Sequence, residues 1–167
     1  GRSAYGLTWP LVTKSDGSKF GKTADGTVWL DAQRTTPYQF RQYWIQLSDD
    51  DIERLMPQFS LRPRDEIEAI LVEQRTRPES RVAQRTLARE LTAMLHGDDS
   101  ADAAEQAADV LFGANPISAS PEALQLIASE VEKSQMGIAA LGDVVSVLVT
   151  TGLATSNSEA RRLLAQH

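Results

Sequence analysis

The chain has no cysteine, and that absence removes disulfides and thiolate metal sites from consideration. Histidine is nearly absent too. His96 and His167 are isolated from one another and do not make a zinc site. His96 stands before Gly97 at an expected helix end, where capping or packing accounts for it. No apolar stretch approaches the ~20 residues of a membrane span. The N-terminus also lacks the basic, apolar and small-residue succession of a signal peptide, so a soluble protein with no membrane partner is expected.

What is present is a chain of 167 residues, 41% of them hydrophobic, enough for one ordinary domain or two small ones with a core. The net charge of −6 is unevenly spread. Residues 1–47 carry Arg2, Lys14, Lys19, Lys22, Arg34 and Arg41 against Asp16, Asp25 and Asp31, a balance of +3, and the remainder has a balance of −9. Positive charge able to meet phosphate is therefore local, and a general affinity for nucleic acid does not follow from the total. The chain starts at Gly1 rather than methionine, and "GRSAYGLTWPLVT" reads as the tail of an element entering a buried strand from Leu7 to Val12. A fragment is expected.

Asp16-Gly17 and Asp25-Gly26 are turn signals, so Lys14 to Gly26 reads as a mobile, glycine-punctuated loop. Pro37 can open a helix carrying Tyr38, Phe40, Trp44 and Leu47. Ser48 and Asp51 have capping-box spacing ahead of Ile52, Leu55, Met56 and Phe59. Pro63 starts a third helix with Ile67, Ile70 and Leu71 on one side. A fourth is expected from Pro78 to His96, with Ala83, Leu87, Leu91, Met94 and Leu95 as its apolar stripe and Gly97 as its stop. A fifth runs from Asp99 to Phe112, and Ser120-Pro121 starts a sixth through Val131. Lys133 to Gly142 reads as a linker. "DVVSVLVTTGL" fits either a helix or a strand, and Ser156 with Glu159 caps a last short helix bearing Arg161 and Arg162.

Two features carry candidate chemistry. Arg77, Arg81, Arg85 and Arg89 recur every four residues, which places them along one flank of the expected fourth helix. They read either as a solvated face paired with Glu73, Glu79 and Glu90 or as a stripe that tracks RNA phosphates. Lys19 and Lys22 flank Phe20-Gly21 in the loop, and paired ammonium groups there can close over a triphosphate and follow charge onto departing pyrophosphate. The loop is not a Walker motif, since only three residues separate Gly17 from Gly21.

"GLTWPLVTKSDGSKFGKT", then "VWLD", "TTPYQFRQYWIQ" and "AQRTLARELTAMLHG", resemble bacterial tyrosyl-tRNA synthetases, which are class I aminoacyl-tRNA synthetases. The resemblance covers nearly the whole chain, and "KFGKT" is similar to the family's KMSKS signature loop. It implies that Lys19 and Lys22 contact ATP phosphates in the transition state of tyrosine activation, with Phe20, Gly21 and Thr23 completing the loop. It further implies ATP as a substrate accompanied by Mg2+, no tightly bound cofactor, tyrosine and tRNA(Tyr) as partners, a homodimer in the intact enzyme, and a cytoplasmic location. The implied fold is mainly α: residues 1–36 end a Rossmann-like α/β catalytic domain, 37–132 form a helical anticodon-binding bundle, and 133–167 are a linker and the start of a small α+β RNA-binding domain. "TTGLATSNSEARRLLAQ" is similar to the opening of that last domain, which makes Arg161 and Arg162 candidate RNA contacts beside Arg77, Arg81, Arg85 and Arg89. The family's histidine-glycine signature and its tyrosine-binding residues have no counterpart here, so the chain alone is expected to be inactive. Trp9 also departs from the family, which has a smaller apolar residue there and so packs differently under the loop. A non-catalytic tRNA-binding module and a tryptophanyl-type synthetase are the alternative readings.

Overall fold

The computed structural model describes residues 4–8, 10–23, 26–138 and 142–166. The expectations placed on Gly1, Trp9, Asp25 and His167 lie outside them. The chain is mainly helical and divides into two compact units, 1–126 and 127–167.

The first unit is built on five helices: α1 (Pro37–Ile45), α2 (Asp49–Phe59), α3 (Arg64–Thr76), α4 (Val82–His96) and α5 (Asp98–Leu111). Helix α4 is the hub, packing against each of the other four, while α1 also packs on α5. The reason lies in its faces. Ala83, Leu87, Ala88 and Leu91 are buried on α4, and Ile52, Leu55 and Met56 of α2 with Ile67 and Leu71 of α3 complete the apolar core. Alanines 101, 103, 104, 107 and 108 are buried on α5, so backbones approach closely there.

Caps set the boundaries. Thr36 and Gln39 form a reciprocal capping box at the start of α1, and Pro37 takes the first position. Ser48 Oγ accepts from the Asp51 amide at 3.1 Å, as its spacing suggests. Gly97 at φ 88° both ends α4 and precedes α5, a conformation that favours glycine. Buried Gln74 and Gln84 knit the bundle: both donate to Asp49 Oδ1 at 2.9 Å, and Gln74 Oε1 accepts from the Ala83 amide at 3.2 Å. These amides satisfy backbone groups that helix ends otherwise leave bare.

Helix α6 (Pro121–Glu130) begins at the Ser120 cap, whose Oγ accepts from the Ala123 amide at 3.1 Å. In the second unit, 132–137 carry no regular element. The ambiguous apolar run is helix α7 (Val144–Thr150), started by Asp143, whose carboxylate accepts from the Val145 amide. It packs on α8 (Asn157–Leu164), which Ser156 caps.

Three expectations fail. Met94 and Leu95, expected in the apolar stripe of the fourth helix, are 54% and 38% exposed, so the buried apolar face ends at Leu91. Residues 7–12 are not a buried strand: Leu7 is 95% and Leu11 68% exposed, and the described part of the segment carries no strand hydrogen-bond ladder. A strand exists only where a neighbour accepts its hydrogen bonds, and here the pairing is limited to a bridge between Thr13 and Lys19. The expected long fourth helix is also broken. Pro78–Ser80 is a short 3-10 turn, Arg81 sits at φ 50°, and α4 starts only at Val82.

Candidate functional site

The glycine-punctuated loop is two stacked hairpin turns. In the first, Thr13 bridges Lys19, and the Phe20 amide donates to the Val12 carbonyl at 3.2 Å. Gly17 at φ 82° closes its tip, where the Ser18 amide donates to Asp16 Oδ1 at 2.8 Å. Hydrogen bonds from Ser18 hold the Asp16 carboxyl below the usual carboxylate range. At Gly21, φ 84°, the chain turns again into a second ladder in which β1 (Lys22–Thr23) pairs antiparallel with β2 (Gly26–Thr27).

Phe20 decides which way this ladder faces. Its ring lies 5.4 Å from that of Tyr43, 5.3 Å from Trp44 and 5.5 Å from Phe59, all on α1 and α2. Alternation along an extended chain then directs Lys19 the other way, and Lys19 is exposed. Every salt bridge among the described residues uses an arginine; Lys14 and Lys19 enter none. An uncommitted ammonium on a glycine-turned hairpin is able to approach an anion.

The expected mobile loop is tied down along its backbone. Gly21 N–H donates to the Tyr43 hydroxyl at 2.8 Å, and Ser15 N–H donates to Asp51 Oδ1 at 2.6 Å. Arg54 donates to the Thr13 carbonyl. Burial pushes the Tyr43 phenol up, so it stays protonated at neutral pH while its oxygen accepts the Gly21 bond. Sequence reasoning missed these partners. Asp51 had one signal, its place three residues after Ser48, but its carboxylate turns to the loop instead of back to the cap.

The arginine row does not lie on one helix. Arg77 follows α3 and pairs with Glu73 at 2.7 Å, as the solvated-face reading has it. Arg81 donates to the carbonyls of Ile45 and, at 2.9 Å, of Leu47, closing the end of α1. Arg85 is exposed and outside every salt bridge of the described residues. Arg89 pairs with Asp102 and, at 3.8 Å, with Glu105. Glu90 serves Arg62 and the Ser60–Leu61 turn rather than the row. Arg161 and Arg162 are exposed in the last turn of α8, where basic charge suits the helix dipole, and Arg162 lies 3.8 Å from Glu159. His96 packs edge-on to Phe40 at 5.5 Å, and burial pushes its imidazole below the ordinary range. No group of three or more metal-ligating side chains occurs among the described residues.

The matches with known proteins extend over both the loop and the bundle. The family described as tRNA synthetases class I (W and Y) matches residues 2–113. A tyrosine--tRNA ligase of Anaeromyxobacter dehalogenans is 43% identical over 99% of this chain and 40% of its own length. That of Geobacillus stearothermophilus is 42% identical over 95% of this chain and 38% of its own. The chain thus spans about two fifths of these relatives. A crystal structure of a C-terminally truncated Coccidioides posadasii mitochondrial tyrosyl-tRNA synthetase superposes with a TM-score of 0.51 and 37% identity, over 59% of this chain and 25% of that one. With a lysine-bearing double hairpin seated on an aromatic face of the helical bundle, and these matches across nearly its full extent, the chain belongs to the class I tRNA synthetases, in the tyrosyl-tRNA synthetase family.

Proposed function

We propose that this chain supplies the phosphate-binding lysines and the tRNA-facing helices of a tyrosine–tRNA ligase. The observation that carries the reading is the exposed, salt-bridge-free Lys19 on a hairpin whose geometry is imposed by Gly17, Gly21 and the partly buried Phe20. In this reading Lys19 and Lys22 are the catalytic pair, with Phe20, Gly21 and Thr23 shaping the signature loop. Tyrosine's carboxylate oxygen attacks the α-phosphorus of ATP, the bond to the bridging oxygen breaks, and pyrophosphate leaves with the electron pair. The lysines follow that charge, an interaction stronger in the transition state than before it. The tyrosyl group then passes to the terminal ribose hydroxyl of tRNA(Tyr), releasing AMP. Magnesium arrives with the ATP phosphates as part of the substrate.

The same reading assigns residues 1–36 to the end of a Rossmann-like catalytic domain, 37–132 to a helical anticodon-binding domain and 133–167 to a linker with the start of an RNA-binding domain. It carries with it a homodimer, a cytoplasmic location and inactivity of the 167-residue chain by itself. No described helix is long and apolar enough to cross a membrane. Among the RNA candidates, Arg85 and Arg161 are exposed and outside the salt bridges of the described residues, whereas Arg77, Arg81, Arg89 and Arg162 already have partners within the fold.

The test is amino-acid-dependent ATP–pyrophosphate exchange by the full-length gene product. Exchange with tyrosine alone is expected, and Lys22→Ala lowers kcat by about 10²–10³ with little change in the KM for tyrosine. Exchange with tryptophan instead, or equal loss of tyrosine binding in the variant, overturns the assignment. Absence of exchange with every amino acid favours a tRNA-binding module, whose affinity would fall steeply with added salt.

A further inference from the structure

The loop that carries the lysines is bonded to side chains that belong to the helical bundle. Four contacts meet it, one after another. Near its entry, Arg54 on α2 donates to the Thr13 carbonyl and Asp51 accepts from Ser15 N–H at 2.6 Å. Between the two lysines, Tyr43 on α1 accepts from Gly21 N–H at 2.8 Å. Beneath them Phe20 inserts among Tyr43, Trp44 and Phe59.

We propose that Tyr43 and Asp51 are positioning residues: they latch the signature loop to helices α1 and α2, so that the bundle sets how often Lys19 and Lys22 stand in their working geometry. The claim about catalysis rests on the reading given above; the latch itself does not. The contacts divide the labour. Phe20 supplies affinity for the bundle without direction, because an aromatic ring tolerates several tilts against its neighbours. The two hydrogen bonds supply direction, because they fix backbone N–H groups on either side of Lys19 within about 3 Å of partners that are themselves held. Asp51 is 5% exposed and pairs with Arg54 at 3.4 Å; Tyr43 is 8% exposed and edge-on to Trp44 at 5.7 Å. Both acceptors sit on regular helices rather than on another loop, so the lysine backbone inherits the rigidity of the bundle. Gly21, at φ 84°, presents its amide to Tyr43 in a conformation that a side chain would strain.

The latch predicts a loop that opens rarely but opens as a unit. Its lysines are also trypsin sites, and cleavage after Lys19 or Lys22 requires the hairpin to leave the bundle. Lys133, in a stretch without regular structure, is a site within the same chain that the latch does not touch. The experiment is limited trypsin digestion of the full-length gene product and of its Tyr43→Phe and Asp51→Ala variants, each of which removes the acceptor, with cleavage after Lys19, Lys22 and Lys133 followed by mass spectrometry, beside tyrosine-dependent exchange kinetics on the same proteins. Tyr43→Phe keeps the ring and removes only the acceptor. The expected result is loop cleavage about threefold to tenfold faster in each variant, the factor for one net hydrogen bond, with Lys133 unchanged. In the same variants kcat falls by less than cleavage rises, because the latched state starts as the larger population, and the KM for tyrosine holds. Loop cleavage unchanged in both variants overturns the latch. Faster cleavage with exchange kinetics unchanged overturns its coupling to the lysines. If the unsubstituted protein shows no exchange while the variants still cleave faster, the ligase reading fails and the latch stands.

Discussion

Two helical regions of this chain are held by opposite means. In α1 to α4 the interior is made of bulk: Ile52, Leu55, Met56 and Leu87 are fully buried, and Trp44 touches Phe20, Phe40, Tyr43 and Phe59 with ring centroids 5.2–6.2 Å apart. Of α7 and α8, helices of seven and eight residues, α7 buries no residue and α8 only Ala160, with Ala154 buried in the connection between them. So little buried surface does not offset the ordering of two short helices, and the hydrogen bonds of Asp143, Ser156 and Glu159 at their starts matter correspondingly more. A single substitution is therefore felt through lost packing in the first region and through a lost cap in the second.

The largest effect is expected from emptying the aromatic cluster. Trp44→Ala removes the ring on which Phe20 and Phe59 both rest, and should cost about 3–5 kcal/mol, read by chemical denaturation. A loss below ~1 kcal/mol would mean that the first region collapses around the void and is not held by bulk. Next comes the cap of α8. Ser156→Ala should cost about 1 kcal/mol and speed amide hydrogen exchange across residues 157–164. Unchanged exchange there would show that packing on α7, not the cap, sustains this helix.

The smallest effect is a pH dependence within the larger region. His96 lies against Phe40 with its Nε2 buried and unbonded, and burial lowers its folded value below the ordinary 6.5. The unfolded chain therefore takes up a proton more readily than the folded one. The contribution of His96 is complete above pH 6.5 and is lost as the pH falls from there through the depressed folded value. His96→Phe should remove that acid loss, so the melting temperatures of the two proteins should diverge between pH 7 and pH 5. Parallel curves would sink the assignment.

Much of the bundle was legible because its signals are local. Ser48, Pro63, Gly97 and Ser120 mark helix ends through groups one to four residues away, and the Ile52-Leu55-Met56 and Ala83-Leu87-Leu91 periodicities point to the faces that are buried. The arginine row shows where such reading stops. Its four-residue spacing is real, but a left-handed Arg81 and a 3-10 turn interrupt the helix on which the spacing had meaning. The apolar run at 7–12 was read as a buried strand on its composition, yet strands are decided by neighbours that no local pattern contains.

By itself, then, the sequence determined most of the helices and their ends, the lysine pair and the family resemblance, since each is carried by short local stretches, while it left α7 open between helix and strand and missed the break at Arg81. Tertiary structure decided the rest. That Phe20 points inward and Lys19 outward, that Tyr43 and Asp51 hold the loop from 22 and 36 residues away, and that Arg81 closes a helix instead of facing solvent are all contacts across large sequence separation. They exist only because burying the aromatic face brings those distant segments to the same place.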